Sequence, residues 1–299
     1  MKSMLAVLQN SVLIMTPLLF AAVGGLYTEL AGMLNIALEG MLLSGAFAAI
    51  AAVSLTGSFA AGIAAAIIAS TVLAFITAFA TLKLKSNVFI SGLAANLLAG
   101  GLTVVMSQRL FNTRGVVVVH DIPALPLINI PLIRDIPVLG NLVSGYSPYT
   151  LASLLVLLVS GLVIYRTPFG YRLRACGKHA DVLHSLGIKS DTYRYAAFLI
   201  SGVCCGIGGS FLSLNLGAFV PQMSAGKGWI ALVIMLLGMR RPLGVLAAAF
   251  LYGVAEAFSN YAQGIIAIPA ELILAMPYII TLLAIIGASI YVKHKKPGM

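Results

Sequence analysis

Two carboxylates set in apolar sequence are the side chains of this 299-residue chain with most chemical potential. Glu39 lies in Asn35-Ile-Ala-Leu-Glu39-Gly40, and Glu256 shares a helical face with Asn260 and Gln263 at i, i+4 and i+7. Such groups can hydrogen-bond sugar hydroxyls and the edges of a base, bridge helices, or hold a proton. Covalent chemistry has no comparable basis. H-E-x-x-H and C-x-x-C patterns are lacking, and the four histidines (His120, His179, His184, His294) fall in loops or the tail. A phosphate-cradling loop needs G-x-x-x-x-G-K-[ST], but Gly226-Lys227 has Pro221 where the first glycine belongs and Gly228 in place of Ser/Thr. The sequence therefore predicts no catalytic residues, no metal site and no bound cofactor.

The surroundings of these carboxylates fix the solvent. The chain is 61% hydrophobic and 9% charged, with a mean hydropathy of +1.06. Soluble domains are about half apolar and about a quarter charged. This composition leaves too little polar surface for a water-soluble globule, and it excludes disorder and a disulfide-stapled scaffold. Cys176 lies in a basic loop and Cys204 and Cys205 in an apolar run, so no disulfide is expected. A polytopic membrane protein remains, and its continuous apolar runs favour helices over a barrel.

Nine crossings fit at about 20 apolar residues each: 5–27, 36–54, 59–82, 87–108, 149–166, 194–215, 226–239, 243–263 and 270–292. The seventh, around Trp229, is short enough to be a half-length element. The charge-free stretch between Glu39 and Lys83 must hold two spans, with the turn at Gly57-Ser58. The first run is too long for a signal h-region and reads as a retained span. A net charge of +10 would suggest nucleic acid in a soluble protein, but here the basic residues cluster in short loops and set orientation. Lys83 and Lys85, the stretch Arg166 to Arg194, Arg240 and Arg241, and Lys293 to Lys296 all fall on one side if the N-terminus lies outside and the C-terminus in the cytoplasm. No nucleic-acid partner is expected.

Four spans, a linking span and four spans of opposite sense suggest inverted repeats, common in transporters. The expected division within a single transmembrane domain is 1–108, an outer loop 109–148, a linking span with an inner loop 149–193, 194–292, and a tail 293–299. In the outer loop, four valines from Val116 to Val119 precede spaced prolines, which predicts a short strand or hairpin. In the inner loop, Leu173, Cys176, Ala180, Leu183 and Leu186 fall at helical spacing with Arg172, Arg174 and Lys178 opposite. That predicts an amphipathic helix flat on the membrane, anchoring to anionic lipid or meeting a cytoplasmic subunit.

These segments carry a family resemblance. Gly32-Met-Leu-Asn-Ile-Ala-Leu-Glu-Gly-Met-Leu-Leu-Ser-Gly-Ala-Phe47 resembles the motif opening the second element in permeases of the ribose and nucleoside branch of ABC importers. Gly170-Tyr-Arg-Leu-Arg-Ala-Cys-Gly177 through Gly187-Ile188 is similar to their coupling motif, although Lys178-His179-Ala180 stands where an Asn/Glu-Pro pair is usual. Asn87 to Asn96, Ser201 to Gly244 and Pro277 to Thr281 also fit, in the right order over most of the chain.

The resemblance implies an all-α permease subunit in the cytoplasmic membrane, importing a nucleoside, with riboflavin or a simple sugar such as ribose as alternatives. ATP and Mg would be held by a separate ATPase subunit docking on loop 166–194 through Gly170, Tyr171, Arg172, Arg174, Ala175, Gly177, Gly187 and Ile188. A second related permease chain and an extracytoplasmic binding protein would complete the complex. An ion-coupled secondary transporter is the rival of another class.

The polar and aromatic residues placed along the substrate pathway are Asn35, Glu39, Phe89, Asn96, Asn215, Trp229, Glu256 and Asn260. Beside Gly32 and Gly40, Glu39 also reads as a carboxylate bridging a broken helix. Glu256 and its stripe also read as interhelical hydrogen-bonding groups, and Trp229 as an interface-belt aromatic.

Overall fold

The computed structural model describes residues 2–119 and 146–263 and positions 279 and 283, with side chains from residue 6. Within them lie the helices α1 (Lys2–Leu30), α2 (Leu38–Thr56), α3 (Phe59–Leu82), α4 (Val88–Phe111), α5 (Pro148–Arg166), α6 (Pro168–Lys178), α7 (Ala180–Ser185), α8 (Ser190–Leu216), α9 (Lys227–Leu237) and α10 (Pro242–Gln263). Two short strands, β1 (Val117–Val118) and β2 (Ala218–Phe219), complete the described elements.

Among the described residues, seven helices are long and apolar enough to cross a membrane: α1 to α5, α8 and α10. The seventh expected crossing is α9, whose 11 residues span about 16 Å at 1.5 Å per residue, half of a hydrocarbon core of about 30 Å. The ninth expected crossing, 270–292, lies outside the described residues, as do the tail and most of the outer loop. The turn between the second and third spans falls at Gly57, left-handed at φ 68°, with Ser58 capping α3.

α8 and α2 form the centre. α8 packs against α1, α2 and α3, and α1 also carries α10 and α9 on its other side. Glycine permits this crowding, because small residues let helix backbones approach in the absence of a hydrophobic drive between helices. A Cβ at Gly202 would meet Thr71 Cα of α3 at 2.7 Å, and one at Gly206 would meet Ile67 Cα at 2.7 Å. Gly209 lies on the Leu42 carbonyl of α2, and Gly208 faces Phe20 of α1. Buried hydroxyls close on their own helices: Thr77 bonds the Leu73 carbonyl, Thr103 that of Ala99 and Ser259 that of Ala255, which leaves them satisfied without water. Toward the periphery, α3, α4 and α5 expose Ile68, Leu97 and Leu158, the surface a bilayer requires.

The valine run forms β1, but no hairpin within its own loop among the described residues. β1 pairs antiparallel with β2, Val117 opposite Phe219 and Val118 opposite Ala218. The outer segment after α4 is thus strapped to the chain leaving α8, and Phe219 fills the space against Phe47 with ring centroids 5.1 Å apart.

Candidate functional site: two helix ends on one carboxylate, and a coupling surface

After α1, the chain turns at Gly32 (φ 82°) and runs through residues 31–37 before α2 begins. Side chains from other helices hold this connection. Asn96 of α4 accepts from the Gly40 N–H at 2.8 Å and donates to the Ile36 carbonyl at 3.0 Å. Asn35, almost fully buried, accepts from the Ala37 N–H at 3.0 Å and donates to Ser201 Oγ of α8 at 2.9 Å. Gly40 admits this clamp, since a Cβ there would meet Asn96 Cα at 2.9 Å.

A second interrupted segment approaches the same place. After β2 the chain takes left-handed φ at Gln222, Ala225 and Gly226 before α9 begins. The first N–H groups of a helix have no partner within it. Here Glu39 supplies one: its Oε1 accepts from Gly226 N at 2.8 Å and its Oε2 from Gly228 N at 2.7 Å. Glu39 also stands in the first turn of α2. One half-buried carboxylate therefore lies at the positive ends of two helices, which offsets the cost of holding a charge in an apolar span. Gly228 must be glycine, because a Cβ would fall on the Glu39 backbone.

The other residues expected along a pathway are dispersed. Trp229, beside Gly228, is 39% exposed, and Phe89, in the first turn of α4, is 54% exposed. Asn215 and Asn260 are exposed and Glu256 is half-buried. α10, which bears Glu256 and Asn260, packs against α1, α5 and α9, whereas the Glu39 clamp joins α2 to α9. Sequence reasoning did not find Glu39's partners. Gly226-Lys227-Gly228 fails the phosphate-loop pattern in the sequence, and nothing there marks its backbone as the partner of a carboxylate.

The inner loop folds as two helices. Thr167 Oγ1 caps α6 by accepting from Gly170 N at 3.2 Å, and the chain breaks at His179 (φ −144°) before α7. Gly170, Leu173 and Cys176 form the buried face of α6, and Leu183 that of α7. Leu186 does not share that face: it lies just past the last residue of α7, as its C-cap, and is exposed. Arg174 also departs from the expected polar side. Its guanidinium sits over the Tyr165 and Tyr171 rings, 5.0 Å from each centroid. Tyr171, Arg172, Lys178 and Gly187 are exposed, while Ala175 and Ile188 are half-buried. Arg172 donates to the Tyr193 hydroxyl at 3.1 Å. Burial pushes the Cys176 thiol up, against an opposing influence of Arg194. Gly177 rests on the Leu30 carbonyl and on Gly32, so α6 touches the connection that leads to Glu39.

Residues 7–285 match the family described as the permease component of the branched-chain amino acid transport system. The chain belongs to this permease family. Among relatives, the guanosine ABC transporter permease NupQ of Bacillus subtilis is 31% identical, over 91% of this chain and 88% of its own length. The nucleoside ABC transporter permease NupC of Lactococcus lactis subsp. cremoris is 29% identical, over 93% of this chain and 90% of its own. A permease is a transport subunit rather than an enzyme.

Proposed function

We propose that this chain is the membrane-spanning permease of an ATP-driven importer and that its substrate is a nucleoside. Likeness to a guanosine and a nucleoside permease over about nine-tenths of the chain is the observation that carries the substrate class. In this reading the N-terminus lies outside, nine spans form two inverted repeats, and each repeat contributes an interrupted connection to Glu39. Asn35, Glu39 and Asn96 fix those connections. Phe89, Trp229, Asn215, Glu256 and Asn260 offer ring faces, amides and a carboxylate to the base and ribose along the pathway.

An ATPase subunit holding ATP and Mg docks on the exposed side of α6 and α7, and its closure reaches the pathway through Gly177 and the α1–α2 connection. A binding protein delivers substrate on the outer side, and a second, related permease completes a heterodimer in the cytoplasmic membrane. Native mass spectrometry of the assembled complex showing two copies of this chain would refute the heterodimer. The substrate class is tested by uptake of labelled inosine, riboflavin and ribose into proteoliposomes holding the complex. Inosine alone is expected to accumulate, and accumulation of riboflavin or ribose instead would move the substrate.

A further inference from the structure

A cavity of about 1180 Å³ opens where the ends of α1 and α5, the edge of α6 and the first turns of α10 meet. Its mouth is basic. Arg174, Lys178, Arg240 and Arg241 line it with a single carboxylate, Glu29, and Arg240 engages Glu29 at 2.7 Å. Lys178 and Arg241 have no carboxylate partner among the described residues. Arg174 sits over its two tyrosine rings, and its buried Nε has no hydrogen-bond acceptor there. Beyond the mouth the wall turns apolar: Leu243, Ala247 and Leu251 follow one another at i, i+4 and i+8 on α10. Leu243 is 72% and Leu251 42% exposed, so this strip runs from the charged mouth along the outside of the span.

We propose that this cavity binds one anionic phospholipid, its phosphate at Arg174, Lys178 and Arg241 and an acyl chain along Leu243 to Leu251. Basic pockets between spans attract anionic headgroups, and a free phosphate would make no use of the apolar strip. The proposal rests on the permease reading only for the leaflet it assigns, the cytoplasmic one.

Lipid binding to the detergent-purified complex, read by native mass spectrometry without ATP or substrate, tests it separately from transport. Phosphatidylglycerol should bind at least about tenfold more tightly than phosphatidylcholine of the same chains. Lys178→Gln with Arg241→Gln should weaken phosphatidylglycerol roughly 30-fold, at about a factor of five per basic residue. Leu251→Trp, which fills the strip without changing charge, should also weaken it, whereas Arg172→Gln, outside the cavity, should not. Equal binding of the two lipids, or unchanged binding in both the charge and the strip variants, would overturn the proposal. So would full displacement by millimolar glycerol phosphate, which marks a free-anion site. Lipid retained only when the ATPase subunit is absent would assign the cavity to that subunit instead.

Discussion

Glu39 concentrates the logic of the molecule in one side chain. A carboxylate in a span is costly unless its oxygens are met, and here both oxygens are met by backbone N–H groups 187 and 189 residues away in sequence. Glu39→Ala would leave both donors without a partner, at a cost on the order of 2–4 kcal/mol. Thermal unfolding of the purified complex should show a lowered transition, with Glu39→Gln falling between the two. A transition unchanged in Glu39→Ala would mean that the carboxylate does not hold α9. Asn96→Leu should cost less, since it strands one N–H and one carbonyl beside the α1–α2 connection, about 1–3 kcal/mol in the same assay. The motif Asn35-Ile-Ala-Leu-Glu39-Gly40 was legible in sequence as polar and glycine-broken. The partners of Glu39 were not, because a hydrogen bond to a backbone N–H leaves no trace in side-chain identity.

At the scale of elements, the long spans were readable from continuous apolar runs, and the half-length of α9 from its flanks. Helix packing was not. Nothing in the glycine spacing of α8 states that Gly202 and Gly206 meet α3 while Gly209 meets α2. Gly206→Leu should prise α8 from α3 and α2 and lower stability by about 1–3 kcal/mol, read by the same unfolding assay, whereas Leu97→Ala on the exposed face of α4 should leave it nearly unchanged. The inner loop was foreseen as amphipathic, but its break at His179 and the aromatic cradle of Arg174 depend on tertiary contacts. Cys176 reports on that packing. Its buried thiol, with its ionisation shifted upward, should react with a maleimide at pH 7.5 at least about tenfold more slowly than an exposed cysteine, and should match it after unfolding. Equal rates in the folded complex would contradict the docking of α6 against α8.

For the whole molecule, the contacts link two places that sequence order separates. Gly177 of α6 rests on Leu30 and Gly32, and the connection they belong to leads directly into α2 at Leu38, with Glu39 and, across its carboxylate, α9. Gly177→Val would force α6 away from Gly32, so the complex should still hydrolyse ATP while uptake falls at least about tenfold, on the scale of typical coupling energies. Parallel loss of both activities would show that the glycine serves assembly rather than transmission. The basic clusters at Lys178 and at Arg240–Arg241 meet at one cavity. The valine run reads in the sequence as a short strand or a hairpin; its actual partner, β2 at the end of α8, is not legible there, because two-residue pairings are too short to leave a pattern. The most direct test of the permease reading is uptake of labelled inosine into proteoliposomes holding the complex, with either ATP on the α6 side or an ion gradient as the only energy source. Accumulation with ATP and none with the gradient is the expected result; accumulation driven by the gradient without ATP would contradict it.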